Sequence, residues 1–462
     1  MSFFDSLIKN LPEVAGPQQK RLSFKEKLKW TGIILVLFFV LGLIPLFGLG
    51  ENALQQFEFL SIILGAKFGS IISLGIGPIV TASIVLQLLN GSGLLKFELT
   101  TDEGKKRFQG VQKLLAFGFI IFEAMIYVFM GGLAPSANLA ETPFFFQLQT
   151  LLVFQLFLGG VLILFMDEVI SKWGFGSGIS LFIAAGVSEQ IFITAFSPLP
   201  SPTNPNIATG AIPALFQSLS GGDPITAALM IAAVVSTILV FLMAVYSQAM
   251  KVEIPLSFGR IRGHGIRWPL SFIYTSNIPV ILIAALMANI QLWARLLQNW
   301  GWPILGNFIG NTPVSGLVAW LNSPDVVGKL IKGSLTFSDI SHSLVYLLIM
   351  MAGAVVFSIF WVQTSGMDAK SQAKQIMASG LQIPGFRRDQ RVLERLLNRY
   401  IWPLTVMGAL AVGFLAGFAD LTGALSRGTG ILLSVMIIYK LYEEIAKQHM
   451  MDMHPLMRKF IE

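Results

Sequence analysis

Long apolar runs separated by short polar segments dominate this chain. Ten of these runs approach the roughly 20 residues that a helix needs to cross a lipid bilayer. They lie near 30–48, 71–90, 112–133, 146–166, 177–196, 226–249, 269–292, 341–362, 402–419 and 429–446. The pattern therefore predicts an all-α polytopic membrane protein with ten transmembrane helices.

Composition agrees with this prediction. Of the 462 residues, 54% are hydrophobic and only 12% are charged, whereas soluble globular chains are about 25% charged. The chain has no cysteine, which excludes disulfide bonds and thiolate metal sites. Residues 1–29 are mostly polar but carry apolar side chains at Phe3, Phe4, Leu7 and Ile8. We expect them to form an amphipathic segment on the cytoplasmic membrane surface.

Basic residues predict the orientation of the chain, because cytoplasmic loops of membrane proteins are enriched in lysine and arginine. With ten spans, both termini lie on the same side as the loops after spans 2, 4, 6 and 8. Only five of the 32 basic residues fall on the opposite side: Lys67, Arg295, Lys329, Lys332 and Arg427. Both termini are therefore expected in the cytoplasm, including a C-terminal tail at 447–462.

The ten spans divide into two halves of five. A Pro-rich external linker at 197–225 separates an N-terminal half, 30–196, from a C-terminal half, 226–446. Because each half has an odd number of spans, the two halves must cross the membrane in opposite directions. The sequence thus predicts an inverted repeat.

Two motifs recur at matching places in the halves. GIGPIV (75–80) in span 2 corresponds to SNIPVI (276–281) in span 7, and GSGISL (176–181) in span 5 corresponds to GTGILL (428–433) in span 10. Pro- or Gly-interrupted segments at corresponding places are a pointer to the functional site of inverted-repeat membrane proteins. We interpret the two prolines as interruptions that face protein or a water-filled cavity.

The external loop before span 2, at 48–70, is polar but carries a helical apolar pattern. It could form a short helix of two or three turns near 53–66. The pattern alone leaves two interpretations open, namely a re-entrant helix that occludes a passage and an amphipathic helix on the outer surface.

One carboxyl group falls inside a predicted span. Glu123 lies in the third span, and a carboxyl at membrane depth is costly and by default indicates a functional role. We expect polar partners in neighbouring spans, and the candidates are Thr81 and Asn277, which follow or precede the two prolines. A trio of this kind can hold helices together weakly enough to open, or can be a purely structural bond between helices.

Two cytoplasmic loops, 251–268 and 365–400, are long and basic. Such loops often only set the topology or bind anionic lipid. Arginine, however, also binds phosphate with two parallel hydrogen bonds. The length of the loops, with glycine and proline at their tips, indicates rigid protrusions able to dock a large anionic partner such as a ribosome.

Catalytic and cofactor motifs are missing from the sequence. There is no GxxxxGK[ST], HExxH, GxSxG or CxxC pattern, and no two of the four histidines combine with a carboxylate at helical spacing. The GFGSG stretch lacks the preceding strand and the following acidic residue of a dinucleotide fingerprint. We therefore predict that the protein is not an enzyme and has no metal or cofactor.

Two long segments resemble the signature segments of the SecY family. They are SIISLGIGPIVTASIVLQLL (70–89) and FMDEVISKWGFGSGISLF (165–182). The likeness runs through all ten spans and both basic loops, and TSGMDAKSQAKQIM (364–377) favours archaeal or eukaryotic members. The family provides the large (alpha) subunit of the protein-conducting channel. The resemblance implies a pore that passes unfolded secretory polypeptides across the cell membrane and releases hydrophobic segments sideways into lipid.

The resemblance also implies roles for particular side chains. A ring of six aliphatic residues would narrow the pore: Ile76, Val80, Ile179, Ile183, Ile281 and Leu433. Val80 stands where other members often have isoleucine, which would loosen the ring only slightly. The helix at 53–66 would be the plug that seals the ring from outside.

A lateral gate is implied between spans 2 and 3 on one side and spans 7 and 8 on the other. Its polar latch would be Thr81, Glu123 and Asn277. Partner docking would fall to Arg260, Arg262, Arg387 and Arg388. The partners implied by the resemblance are the ribosome, signal peptides, nascent polypeptides, membrane lipid, and small single-span subunits of the SecE (gamma) and beta types.

Two other classes of membrane protein share part of the pattern. Secondary transporters also have inverted repeats and broken helices, but they usually gather several polar ligands at mid-membrane, where this sequence places only Glu123. An intramembrane protease would need paired catalytic residues, which we do not find. The secondary transporter is the main alternative.

Overall fold

In a computed structural model of the chain, every predicted span overlaps a helix. The structure describes residues 10–19, 22–52, 64–91, 94–95, 97, 101–139, 142–200, 207–258, 265–275, 277–310, 312–378, 381–382 and 389–453. The helices are α1 (Phe24–Leu43), α2 (Gly77–Gly91), α3 (Asp102–Phe129), α4 (Phe144–Trp173), α5 (Gly178–Phe196), α6 (Ala211–Gly221), α7 (Pro224–Ala249), α8 (Ile278–Asn299), α9 (Leu317–Trp320), α10 (Val326–Ile331), α11 (Phe337–Thr364), α12 (Ala369–Ala378), α13 (Gln390–Leu421) and α14 (Gly428–Met453). The ten spans correspond to α1–α5, α7, α8, α11, α13 and α14.

Short strands connect some of the helices. They are β1 (Glu51–Asn52), β2 (Leu133–Ala134), β3 (Lys251–Phe258), β4 (Gly265–Ser271), β5 (Phe308–Ile309), β6 (Thr312–Pro313) and β7 (Leu381–Gln382). The pairs β1–β2 and β5–β6 are antiparallel, and β4, β3 and β7 form a three-stranded sheet in that order. In this sheet Phe258 pairs with Leu381 and Ser257 pairs with Gln382.

Seven of the described helices are long and apolar enough to cross a membrane, judged by length and composition. They are α3, α4, α5, α7, α8, α11 and α13. Of the other three, α1 carries several charged residues in its first turns and α14 carries several in its last turns. Helix α2 has 15 residues and so covers only about 22 Å at 1.5 Å per residue, because the preceding residues 71–76 form turns.

Both prolines of the repeated motif begin a helix rather than interrupt one. Pro78 is the second residue of α2, and Pro279 is the second residue of α8. In the first turn the missing backbone N–H would have had no partner within the helix anyway. The irregular backbone therefore lies before each proline, at 71–76 and at 272–275.

Several helices begin at other residues than the predicted spans, for identifiable reasons. Helices α3 and α13 begin well before 112 and 402, because polar residues extend each helix beyond its apolar run to a side-chain cap. Thr101 accepts a hydrogen bond from the Gly104 N–H, and Asp389 accepts one from the Arg391 N–H. Span 7 begins later than predicted, because the apolar residues near 269 belong to strand β4.

The linker between the two halves contains a helix that the sequence pattern did not predict. Helix α6 lies in the second half of 197–225 and is capped by Gly222, which has a positive φ of 73°. Asp223 follows and caps α7 by accepting hydrogen bonds from the N–H and the hydroxyl of Thr226. These bonds lower the pKa of the Asp223 carboxyl.

The N-terminal segment lies against the end of α4 and against Lys113 of α3. The Val14 N–H donates to the Glu168 carboxylate (3.0 Å), and the Trp173 indole N–H donates to the Ala15 carbonyl (2.9 Å). Lys113 donates to the Pro12 carbonyl (2.5 Å). Lys172 binds Glu13 and thereby lowers the pKa of that carboxyl. Residues 12–15 are thus held by protein. The predicted apolar face at Phe3, Phe4, Leu7 and Ile8 falls outside the described residues.

Two hydrophobic cores stabilise the molecule. The larger core contains residues from all ten spans and so joins the two halves. The smaller core lies under the basic loops, where Ile254, Leu270, Ile376 and Leu397 pack together. In the same core the hydroxyl of Tyr274 donates to the Met367 carbonyl (2.7 Å). The smaller core gives the two basic loops a rigid base.

Candidate functional site

A cavity of about 720 Å³ lies between the halves, lined by residues of α2, α3, α5, α8, α11 and α14. Exposed Lys105 and Lys440 stand at its mouth, together with glutamine and serine side chains. Its inner end is aliphatic and includes Val80, Ile179 and Ile281. The lining of the cavity thus combines exposed polar side chains with buried or half-buried aliphatic ones.

The six residues of the predicted ring divide between the floor of this cavity and the core behind it. Three of them, Val80, Ile179 and Ile281, line the floor. The other three are fully buried, with 0% exposure: Ile76, Ile183 and Leu433. All six belong to the larger core or pack against it. They come from α2, α5, α8 and α14, or from the residue before α2, so both halves contribute.

Residues 64–66 close the space behind Ile76. Leu64 is fully buried, and its carbonyl accepts a hydrogen bond from the Ile76 N–H (2.7 Å). Gly75 has a positive φ of 56°, and a Cβ atom there would lie 2.7 Å from the Cβ of Ala66. Most of the predicted helix 53–66 lies outside the described residues. Its last three residues form a turn rather than a helix.

A polar network joins α2, α3 and α8 inside the core. The Thr81 hydroxyl lies 3.3 Å from Glu123 Oε1 and 2.8 Å from the Gly77 carbonyl, to both of which it can donate. It also accepts a hydrogen bond from Asn289 Nδ2 (2.9 Å). Glu123 is fully buried, and Thr81 and Asn289 are nearly so. We call Thr81, Glu123 and Asn289 the polar latch.

The structure corrects the predicted third member of this network. Asn277 immediately precedes α8 and lines the cavity, whereas Asn289 lies twelve residues further along the helix. That separation corresponds to about 18 Å, so the two side chains occupy different levels of the membrane. The proximity of Asn277 to the proline motif was misleading. The useful signal was that Asn289 is the first polar side chain of α8 after eleven apolar residues.

Two oxygen atoms of the latch have no hydrogen-bond partner among the residues that the structure describes. They are Oε2 of Glu123 and Oδ1 of Asn289. A Cβ atom on Gly77 would lie 3.3 Å from the first and 3.8 Å from the second. Glycine at this position therefore lets α2 approach both partner helices. A buried carboxyl with an unused oxygen is costly, so the contact contributes less to stability than a fully hydrogen-bonded one would.

Two aspartates that the sequence analysis missed hold the starts of α5 and α14. Asp167, near the end of α4, accepts a hydrogen bond from the Ile179 N–H (3.0 Å). Asp420, near the end of α13, accepts one from the Thr429 N–H (2.7 Å) and another from the Tyr346 hydroxyl (2.6 Å). Negative charge at a helix N-terminus is stabilising. The recurring Gly-x-Gly-Ile motif therefore has a carboxylate partner in each half.

The three-stranded sheet brings the two basic loops together. Strand β7, from the second loop, pairs with the outer end of β3 in the first loop. The four arginines predicted to dock partners (Arg260, Arg262, Arg387 and Arg388) lie outside the described residues. The strands that lead to them are joined, so the two loop tips start from one common support.

Comparisons with family models cover almost the whole chain. A model described as SecY matches residues 70–442. A second model, described as the plug domain of Sec61p, matches residues 36–69. The boundary between the two matches falls just before the irregular turns that lead into α2.

Individual proteins match over similar lengths. The protein translocase subunit SecY of Methanothermobacter thermautotrophicus is 47% identical over 99% of this chain and 98% of its own. The protein of the same name from Methanocaldococcus jannaschii is 43% identical, with 98% of each chain covered. A solved structure of a protein-conducting channel matches with a TM-score of 0.83 at 43% identity, covering 97% of this chain and 98% of that one. Sec61 in a canine ribosome–channel complex from the endoplasmic reticulum matches with a TM-score of 0.79 at 42% identity and the same coverage.

Proposed function

Because this chain belongs to the SecY family and is therefore a subunit of a protein-conducting channel rather than an enzyme, we propose that polypeptides cross the membrane through the cavity and the aliphatic ring at its inner end. The observation that supports this route best is the division of the ring. Val80, Ile179 and Ile281 form the floor of the cavity, and the other three members lie behind them with no exposed surface.

An aliphatic constriction suits the passage of an unfolded chain. Side chains of isoleucine, valine and leucine offer neither hydrogen bonds nor fixed charges, so a moving polypeptide meets no binding site at which it would stall. A hydrophobic constriction also holds back water and ions by dewetting when no chain fills it. The same six side chains thus form a deformable constriction around a moving polypeptide and part of the seal when no polypeptide is present.

The route is tested by disulfide crosslinking to a stalled nascent chain that carries one cysteine. The protein has no cysteine of its own, so each introduced thiol is unique. We expect Ile281→Cys to crosslink efficiently and Val235→Cys to remain unreacted. Val235 is a suitable control because it lies on a span, α7, with its side chain half exposed on the outer surface. Equal crosslinking at the two positions would contradict a pore at the ring.

We further propose that the polar latch closes a lateral gate. Helix α2 contacts both α8 and α11, and α3 contacts α2, so the two predicted sides of the gate meet directly. The two hydrogen bonds of the latch that join different helices form only while these helices touch. A hydrophobic signal segment that enters between them gains about 0.8 kcal/mol for each buried CH2 group. A sufficiently apolar segment can therefore offset the few hydrogen bonds of the latch and leave sideways into lipid.

The orientation in the membrane is also a proposal. We place both termini, the mouth of the cavity and the three-stranded sheet in the cytoplasm, in the cell membrane. The strongly asymmetric distribution of basic residues supports this placement, as do Lys105 and Lys440 at the mouth of the cavity. Small single-span subunits of the SecE and beta types are proposed partners, because the family resemblance implies them.

The basic loops are proposed to dock the ribosome, and the match to Sec61 in a canine ribosome–channel complex supports a ribosome as partner. Reversing the charge of Arg387 and Arg388 to glutamate should weaken co-sedimentation with ribosomes by at least about tenfold, since each lost arginine–phosphate contact costs roughly 1.5–3 kcal/mol. The loss should shrink as salt is raised, because phosphate contacts are screened. The control is Lys332→Glu on the opposite side of the membrane. Unchanged binding of the arginine variant at moderate salt would exclude docking through this loop.

A secondary transporter was the main alternative from sequence. The comparisons do not support it, since the matched proteins are channel subunits over nearly the full length of both chains.

A further inference from the structure

We propose that residues 300–320, which follow α8 on the external side and include α9, form a membrane anchor whose tryptophans sit in the headgroup layer of the outer leaflet. We call this segment the external hairpin. Its partner is the lipid surface. The inference rests on the orientation proposed above, and no part of the translocation route depends on it.

The external hairpin lies in an unusually uncharged part of the chain. No Asp, Glu, Lys or Arg occurs between Arg295 and Asp325. Three of the nine tryptophans of the protein fall in this short interval, at Trp300, Trp302 and Trp320. Loops in bulk water are polar, whereas tryptophan is enriched where a protein crosses the boundary between lipid and water.

Large apolar side chains of the hairpin point outward. The exposed fractions are 67% for Trp300, 66% for Trp302, 74% for Ile304 and 71% for Ile309. Apolar side chains concentrated in this way on a short segment mark an interaction surface. Lipid-facing surfaces of the spanning helices account for most other exposed apolar groups, but these four residues lie beyond the end of α8.

This exposure does not result from a loosely packed loop, because the opposite face of the hairpin is firmly held. The side chain of Gln298 binds both backbone groups of Phe308, accepting from its N–H (2.7 Å) and donating to its carbonyl (3.0 Å). The Phe308 ring is buried and lies 5.6 Å from the guanidinium of Arg295. The hairpin thus has one face packed on α8 and one apolar face without a partner in the described structure.

Contacts with α11 place the hairpin at the level where the lipid-facing surface begins. The Ala319 carbonyl lies 2.8 Å from His342 Nε2, and the Trp320 ring packs against the His342 ring at 5.4 Å. On the same part of α11 the exposed apolar residues Ile340 and Leu344 start the membrane-facing stripe. Trp320 therefore stands at the boundary of that stripe, which is where an interfacial tryptophan belongs.

The position of the anchor connects it to the proposed gate. The hairpin continues directly from α8 and packs on α11, the two helices of the second side of the gate. Insertion of its tryptophans would hold the outer ends of these helices at a fixed depth. When the gate opens, α2 and α3 would then move more than α8 and α11.

The anchor can be tested with single cysteines at Trp302 and Ile309, labelled with a polarity-sensitive fluorophore in phosphatidylcholine vesicles. The matched control is Ser334→Cys, an exposed polar position in the next external turn. We expect a blue-shifted emission at 302 and 309, together with quenching by a lipid that carries a shallow nitroxide. This quenching should be several-fold stronger than at 334. Iodide in the water should quench in the reverse order.

Two outcomes would overturn the proposal. Labels at 302 and 309 that iodide quenches as readily as the label at 334 would place the hairpin in water. Labels that neither iodide nor the nitroxide lipid reaches would show that the face is covered by protein, either a partner or a second copy. Polypeptide translocation is measured in the same vesicles, so that failure of the anchor is distinguished from failure of the channel.

Discussion

Replacement of Gly75 by valine is expected to raise the resting ion conductance of the channel by about ten- to a hundredfold. The residue has a φ of 56°, a conformation that costs a β-branched side chain about 1–3 kcal/mol. A Cβ atom would also meet the Leu64 carbonyl and would lie 2.9 Å from the Ala66 nitrogen. Residues 64–66 must then move away from Ile76. Because each 1.4 kcal/mol changes an equilibrium about tenfold, a large fraction of channels would lose this part of the seal.

The measurement is ion conductance of purified channels in planar bilayers without any translocating chain. Gly118→Val is the matched control, because Gly118 lies in α3 with no heavy atom near the position of an added Cβ. A conductance of Gly75→Val equal to that of the control would show that residues 64–66 do not contribute to the seal.

Replacement of Asn289 by aspartate is expected to have the second large effect, on the gate. The substitution keeps the shape of the side chain but removes the hydrogen bond to Thr81 and places a second carboxyl beside Glu123. Two carboxylates in one buried site cannot both ionise without strong repulsion. One of the two must therefore keep a proton, and the loss of the buried hydrogen bond to Thr81 costs about 1–3 kcal/mol. The closed gate should therefore lose stability by a factor of roughly ten to a hundred.

The effect is measured as export of a secretory protein whose signal segment has been made less apolar. Asn289→Asp should restore its transport, because less hydrophobic free energy is then needed to part the helices. Asn277→Asp serves as the control, since it places the same charge on the same helix in the solvated cavity. If both variants restore transport to the same degree, the latch has no special role.

The spans and the location of the site follow from local features of the sequence. Apolar runs of sufficient length specify membrane helices whatever their partners, which is why all ten predicted spans overlap helices. Glu123 was identifiable because a carboxyl is rare at membrane depth, and Thr81 because it follows the first proline motif. The two prolines were expected to interrupt helices but instead begin them, since proline is tolerated in a first turn.

Features that depend on three-dimensional packing could not be predicted from the sequence. Asn289 was missed because its contact with Thr81 depends on how α8 crosses α2, which no periodicity in either helix records. The three-stranded sheet was missed for a similar reason, since β7 pairs with β3 across more than a hundred residues. The start of α8 was misplaced because the apolar residues of a strand and of a membrane helix look alike over so short a run.

The two aspartates at the starts of α5 and α14 have a consequence for the biogenesis of the protein. Asp167 accepts a hydrogen bond from the Ile179 N–H, and Asp420 accepts one from the Thr429 N–H. Each carboxylate therefore caps a helix that follows it closely in the same half. An uncapped helix end inside a bilayer is expensive. The first five helices can therefore insert into the membrane with the start of α5 already hydrogen-bonded, while the ribosome is still synthesising the second half. We expect the two halves to assemble in the order in which they are synthesised.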